Sequence, residues 1–462
     1  MSEWYDIIVI GAGAGTKLVT PPSQIGKKVA VFERESPGGT CLNRGCIPSK
    51  MVIYPSELLR IPHLAKRFGF DFSIEPNIDP MRIFDRVNAT VQKDSDSIPI
   101  AYEKNPNVTY IPKEVYFLDD QTVSDGTRKY KAKYIVIATG TRPKIPEIAG
   151  LSETPYWTSR EALNPPKFPK SMVVIGAGFI GLELGAAYQA LGCNVTGLTR
   201  TEILRGVDIE VRKEFESHLP FPIHDHFTIE RVEYRESLFF LTGKDKLGIK
   251  HTIHAESLLI ATGITPNTEA LKLSNTNIKT NSFGYIQVNE FLETNVPNIF
   301  AFGDVIGKFF FRHSANFEGE YLFDQLFVNK TKQPIEYPPM PSAIFTHPQI
   351  ATAGATEEEL IQNKIAYWKG INPYSSSAMG MARLSDSGFV KILVCKKTET
   401  VLGAHIIGDE ASNMIHQIIL GMTMKLKLDD YLRMIYIHPA ISEIVRNAFR
   451  KVKQIKVSEG KE

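Results

Sequence analysis

The chain lacks most of the signals that would take it outside ordinary soluble enzymes. Only four cysteines occur in 462 residues, Cys41, Cys46, Cys193 and Cys395. That is too few to staple a secreted scaffold of this size. A structural zinc site needs more ligands than Cys41 and Cys46 supply, and Cys193 and Cys395 lie in apolar segments that suit buried thiols. Neither sign of charge is in excess: 53 Lys and Arg against 51 Asp and Glu leave a net charge of +2. This gives no reason to expect nucleic acid or an anionic membrane as partner. No basic segment precedes the first apolar run, Ile7 to Ile10, so no signal segment is expected. The longest apolar stretch, Met172 to Leu191, is interrupted by Gly176, Gly178, Gly181, Glu183 and Gly185. A strand, turn and helix fit it better than a membrane span. A cytoplasmic location is the resulting expectation.

What the chain does have is an alternating β/α pattern with two nucleotide-type openings, Tyr5 to Gly13 and Met172 to Gly178. Each is an unbroken apolar strand, as expected when helices cover both faces of a parallel sheet. Proline-rich seams, Asn164 to Pro169 and Pro334 to Pro341, suit boundaries. The pattern predicts an α/β protein with two Rossmann-like dinucleotide-binding domains and a C-terminal α+β domain. The expected division is 1–149, 150–265, 266–335 and 336–462, the third segment completing the first domain. In the last part, Phe389 to Val394 reads as an alternating strand and Glu410 to Leu426 as an amphipathic helix.

The second opening is the cleaner one. Gly176-x-Gly178-x-x-Gly181 follows a strand and opens a helix, whose free N–H groups and positive end suit a pyrophosphate. The acid that holds a ribose in NAD sites is missing after the next strand. Arg200 stands there instead, with Arg205 following, and arginine pairs with a 2′-phosphate. NADPH is favoured over NADH, with Glu202 nearby leaving NADH open and surface solvation as the bland reading of both arginines.

The first opening is imperfect. Gly11, Gly13 and Gly15 are present, but Thr16 holds the third glycine position. Glu33 lies at roughly the 20-residue spacing at which an acid holds the adenosine ribose. Pro21-Pro22 predict a first helix broken near Val19.

The stretch Gly38-Gly39-Thr40-Cys41-Leu42-Asn43-Arg44-Gly45-Cys46-Ile47-Pro48-Ser49-Lys50 resembles the redox-disulfide signature of the class I pyridine nucleotide–disulfide oxidoreductases. That family includes dihydrolipoamide dehydrogenase, glutathione, mycothione and mercuric reductases. Ile137 to Gly140, Ile260 to Asn267, Thr294 to Asp304, Phe345 to Pro348, Gly403 to Gly408 and His438 to Glu443 are similar to further family segments. The resemblance implies FAD, held by the first opening with Gly39, Thr40, Thr139, Gly140, Gly303 and Asp304, and a nicotinamide cofactor bounded by Gly263. It implies that Cys46 lies nearer the flavin as a charge-transfer thiolate and that Cys41 is the interchange thiol. Lys50 is expected to pair with Glu183 near the flavin. Phe179 falls where some members place an aromatic gate, ordinary core packing being the alternative. His438, oriented by Glu443, is expected to serve the partner subunit's disulfide, which implies a homodimer.

The substrate stays open. No C-terminal cysteine pair is present, which disfavours mercuric reductase and the large thioredoxin reductases. A dihydrolipoamide dehydrogenase-like enzyme, acting on a lipoyl group, has the broadest motif match. Arg200, and Tyr436 where that enzyme usually has a second histidine, conflict with it. An NADPH-dependent reductase of a small-thiol disulfide is the alternative. A flavoprotein subunit with mainly an assembly role is opposed by the intact set Cys41, Cys46, His438 and Glu443.

Overall fold

The computed structural model describes residues 3–71 and 77–459. The first opening forms the strand Glu3–Ile10, parallel to Val29–Phe32 on one side and Lys129–Ile137 on the other. Its residues Ile7 to Ile10 are buried, as a strand covered on both faces requires. Val108–Ile111 extends one edge, and Thr122–Ser124 and Tyr116–Asp119 extend the other. Ile299–Ala301 returns from far along the chain to pair in parallel with Lys129–Ile137, completing a seven-stranded sheet.

The second opening forms a four-stranded parallel sheet in the order Ile223–His224, Asn194–Leu198, Ser171–Ile175, Ser257–Ile260. A five-stranded antiparallel sheet follows, ordered Pro341–Ile344, Ile350–Gly354, Val401–Ile407, Phe389–Cys395, Tyr367–Pro373. Helices Ala411–Thr423 and Glu443–Glu459 pack on it. This is the α/β architecture with a C-terminal α+β unit that the sequence pattern implies. Among the described residues, no helix is long and apolar enough to cross a membrane.

Three details differ from expectation. The first helix does stop at Val19, as a 3-10 turn over Ala14–Leu18. It then restarts as Thr20–Gln24, with Pro21 and Pro22 in the first turn, where a missing N–H breaks no bond. Strand Phe389–Cys395 is not alternating: Val390 to Val394 are all buried, Lys391 included, because its sheet is covered on both faces. Cys193 is a buried thiol, but Cys395 is partly exposed at its strand's end.

One core cluster fixes the parts that matter for chemistry. Val52 and Ile53 of helix Cys46–Leu58 pack with Phe84 and Val87 of helix Pro80–Glu103 and with Leu184 and Tyr188 of helix Phe179–Ala190. Tyr188 stacks on Phe168 at 5.2 Å and donates its hydroxyl to the Ala162 carbonyl at 2.7 Å. Each such buried aromatic or aliphatic side chain contributes roughly 1.5–3 kcal/mol. The helix that begins at Cys46 is thereby locked beside the helix that begins at Phe179.

Candidate active site

Cys41 lies in the short helix Gly39–Asn43, and Cys46 opens the long helix Cys46–Leu58. Pro48 falls in that helix's first turn, where it removes no helical bond. Both thiols are free and hydrogen-bonded to each other. The Cys41 thiol donating to Cys46 brings Cys46 down to about 7. Burial opposes this, and the positive charges of Lys50 and Arg312 assist it. The same hydrogen bond, with burial, pushes Cys41 up. The pair therefore holds one proton and one thiolate near neutral pH, the form that exchanges with disulfides.

One helical turn beyond Cys46, Lys50 Nζ lies 2.6 Å from Glu183 Oε2. Glu183 is buried, and its other oxygen accepts from the Phe345 amide at 2.9 Å. Lys50 also sits 4.4 Å from the centre of the Phe345 ring. Three chain segments thus converge behind the cysteines.

The two glycine turns share one construction. At Gly11, with φ +106°, a Cβ would lie 2.4 Å from the Ala138 carbonyl oxygen; at Gly176, with φ +112°, it would lie 2.3 Å from that of Ala261. Only glycine fits either turn. At the third glycine, a Gly181 Cβ would lie 3.2 Å from Val174 Cγ1, and a Gly15 Cβ 2.8 Å from Val9 Cγ1. Gly15 thus takes the third glycine's packing place one residue early. The tighter 3-10 turn accounts for this, and Thr16 turns its hydroxyl to the Gly13 carbonyl at 2.9 Å.

The surroundings of the first turn fit FAD. Gly39 passes so close to Gly13 that a Cβ would meet its Cα at 2.6 Å, bringing Thr40 and Cys41 to the mouth of the turn. Glu33 ends its strand with its carboxylate accepting from the amides of Ala12 and Glu35, both at 2.9 Å. The Thr139 hydroxyl is buried without a partner, beside open space at Gly140. Asp304 follows Gly303 and accepts from Thr141 at 2.8 Å; burial pushes its carboxyl up. At the second turn, open space adjoins Gly178 and Gly263, and Phe179 is 45% exposed. Core packing therefore does not explain Phe179. Arg200 and Arg205 are exposed, while Glu202 is engaged by Arg212 at 3.5 Å.

Far along the chain, His438 Nδ1 is 2.9 Å from Glu443 Oε2; the imidazole is exposed and the carboxylate mostly buried. Among the described residues His438 makes no hydrogen bond to a cysteine of its own chain. Arg312, Thr141 and Glu318, which accepts from the Gly303 amide at 2.6 Å, were not singled out from the sequence. None carries a motif by itself; each acts only through the neighbours the fold supplies.

Two dinucleotide turns flanking a cysteine pair on one rigid frame define a flavin-linked thiol–disulfide oxidoreductase. The chain belongs to the pyridine nucleotide-disulphide oxidoreductase family, which residues 5–319 match, with the family's dimerisation domain at residues 340–449. It is 31% identical to dihydrolipoyl dehydrogenase 1, mitochondrial, of Arabidopsis thaliana, over 97% of this chain and 90% of that one. It is 34% identical to dihydrolipoyl dehydrogenase, mitochondrial, of Caenorhabditis elegans, over 96% and 91%. The fold matches the HOCl-induced flavoprotein disulfide reductase RclA from Escherichia coli with a TM-score of 0.85, at 24% identity, covering 96% of this chain and 99% of that one. Membership makes this an FAD-dependent oxidoreductase acting on sulfur groups with a nicotinamide cofactor.

Proposed function

We propose that the protein exchanges electrons between a nicotinamide cofactor and a small lipoyl-type dithiol or disulfide through Cys41 and Cys46. The hydrogen-bonded cysteine pair, backed by Lys50–Glu183, carries this reading. FAD, when bound, supplies acceptance of hydride and two-electron transfer to a disulfide. The chain's own residues do the rest. His438 takes the proton from the Cys41 thiol, the Cys41 sulfur attacks one sulfur of the substrate disulfide to form a mixed disulfide, and the first thiolate leaves with that same proton from His438. The Cys46 thiolate then attacks the Cys41 sulfur. That step re-forms the Cys41–Cys46 disulfide and expels the second thiolate, so two electrons pass to substrate. Glu443 holds His438 Nδ1 and so fixes the ring's tautomer and orientation.

A second reading is an NADPH-dependent reductase of another low-molecular-weight disulfide. The exposed Arg200 and Arg205, with Glu202 occupied by Arg212, favour it. Both readings place a homodimer at work, His438 of each chain reaching the other's cysteines. Anaerobic titration with NADPH and NADH in parallel, followed by turnover with lipoamide and with small-thiol disulfides, separates them. Cys46→Ala should abolish disulfide turnover and leave flavin bound; unchanged turnover refutes the mechanism.

A further inference from the structure

The proline-rich seam before the C-terminal unit lies along helix Arg312–Phe323 and its continuation Asp324–Val328, running the opposite way. Gln325 Oε1 accepts from the Gln333 amide at 3.2 Å, and the Tyr321 hydroxyl donates to the Gln333 carbonyl at 2.6 Å. At the other end His313 Nε2 lies 2.9 Å from the Pro341 carbonyl. Midway, the Tyr337 hydroxyl donates to Glu318 Oε1 at 2.8 Å. The Tyr337 ring is fixed by Phe309 and Phe317, with ring centres 5.2 and 5.8 Å away, and Lys308 Nζ lies 3.8 Å from its centre. Glu318 is 1% exposed, and its second oxygen, Oε2, accepts from the Gly303 amide at 2.6 Å. That amide opens the 3-10 turn Gly303–Ile306 and so has no acceptor within the turn. Gly303 takes φ +75°, and the residue after it is Asp304, part of the surroundings that fit FAD. A carboxylate shut away from water depends on the donors it has. The seam therefore reaches the flavin turn through a single buried carboxylate.

We propose that Tyr337 and Glu318 are positioning residues for the flavin: the Tyr337 hydroxyl fixes the Glu318 carboxylate, which holds the Gly303 amide and with it the turn that presents Asp304. Retention of FAD is thereby tied to the seating of the seam that leads into the C-terminal unit. The inference is independent of the thiol substrate and rests only on FAD as the cofactor.

The test uses the flavin-loaded protein in wild type, Y337F, E318Q, the double variant E318Q/Y337F, and Y321F. Flavin release is followed by the fluorescence of free FAD after dilution, below the unfolding transition of every variant, and the bound flavin by its visible circular dichroism. Y337F keeps the ring and removes one bond to a buried carboxylate, so release should quicken about 10-fold. E318Q should release faster by a similar factor, and adding Y337F to it should change the rate by less than about threefold, because both act through one chain of bonds. Y321F removes a hydroxyl from the same seam without touching Glu318, and should stay within about twofold of wild type with an unchanged flavin spectrum. Release at the wild-type rate in Y337F overturns the proposal, as does an equal rise in Y321F, which would make the effect one of general seam stability. Independent, multiplying effects of E318Q and Y337F also overturn it. A wild-type protein that binds no flavin would overturn the cofactor assignment itself, and the proposal with it.

Discussion

Lys50 and Glu183 come from two different nucleotide-binding units, and their 2.6 Å ion pair ties the helix that carries Cys46 to the helix that opens at the second glycine turn. Glu183 is buried and also caps the Phe345 amide. Glu183→Ala leaves an ammonium and an N–H without their acceptor, an expected loss of about 2–4 kcal/mol. Glu183→Gln keeps the amide contact and should cost about 1–2 kcal/mol. Urea unfolding ranks the two. Because Lys50 loses its anchor, flavin reduction by the nicotinamide cofactor should slow by on the order of 10-fold to 100-fold in the alanine variant. Stopped-flow reduction at the wild-type rate would show that the pair is purely structural.

The proposed preference for NADPH rests on Arg200 and Arg205, both exposed past the end of strand Asn194–Leu198. A charge-assisted bond to a 2′-phosphate is worth about 1.5–3 kcal/mol, or roughly 10-fold to 100-fold in affinity. The double substitution R200A/R205A should lower kcat/KM for NADPH by that factor and leave NADH within about twofold. Equal losses with both cofactors would mean that these arginines do not read the phosphate.

Much of this site is legible in sequence because its parts are local. The glycine turns and the close spacing of Cys41 and Cys46 show in the residues themselves, whereas the roles of the cysteine stretch and of the His438–Glu443 pair come from family likeness to short contiguous segments. Lys50–Glu183 spans 133 positions and was reached only through family likeness. Glu318, which accepts from the Gly303 amide, has the same physical difficulty without that aid: a glutamate within a helix has no signal until the fold carries it to its partner. The first glycine turn was misread in one respect. Thr16 looked like a defect, yet the 3-10 geometry moves the close contact to Gly15. In sequence Lys391 reads as one face of an alternating strand; in the fold it lies in a buried ion cluster.

The His438 dyad gives a prediction about assembly. Among the described residues, the imidazole makes no hydrogen bond to the cysteines of its own chain. If it serves a partner, C41S and H438A homodimers are each inactive, yet a heterodimer of the two has one complete site. Subunit exchange in an equal mixture should then restore about a quarter of wild-type turnover. A mixture that stays inactive after exchange, verified by mass, would place His438 with its own chain's cysteines.

The Lys391 side chain is 0% exposed and contacts Asp208 at 2.8 Å, Glu210 at 2.6 Å and Glu357 at 2.6 Å. Lys369 lies 3.0 Å from Glu357, Tyr367 donates to it at 2.7 Å, and the buried His405 donates its Nε2–H to the Ala355 carbonyl at 3.0 Å. The cluster joins helix Ile209–Glu216, capped by Asp208, to the C-terminal sheet. Burial would raise Glu357, but hydrogen bonds from Lys391, Tyr367 and Lys369 outweigh it and hold the carboxyl at about 2. Asp208 is lowered too: against burial, His405 and then Lys391 favour its charged form. A carboxyl lowered on folding stabilises the protein above its unfolded value, roughly 4 for these groups, and that stability is lost as pH falls toward the folded value. Wild-type unfolding free energy should therefore drop steeply between about pH 4.5 and 2. Lys391→Met strands three carboxylates around an apolar chain and should cost about 3–5 kcal/mol at pH 7. In that variant the carboxylates gain by protonation, so its deficit relative to wild type should shrink on acidification. Urea titrations at pH 7.5 and 4 decide it: a deficit that stays constant or widens at pH 4 would mean that Lys391 contributes by packing and not by charge.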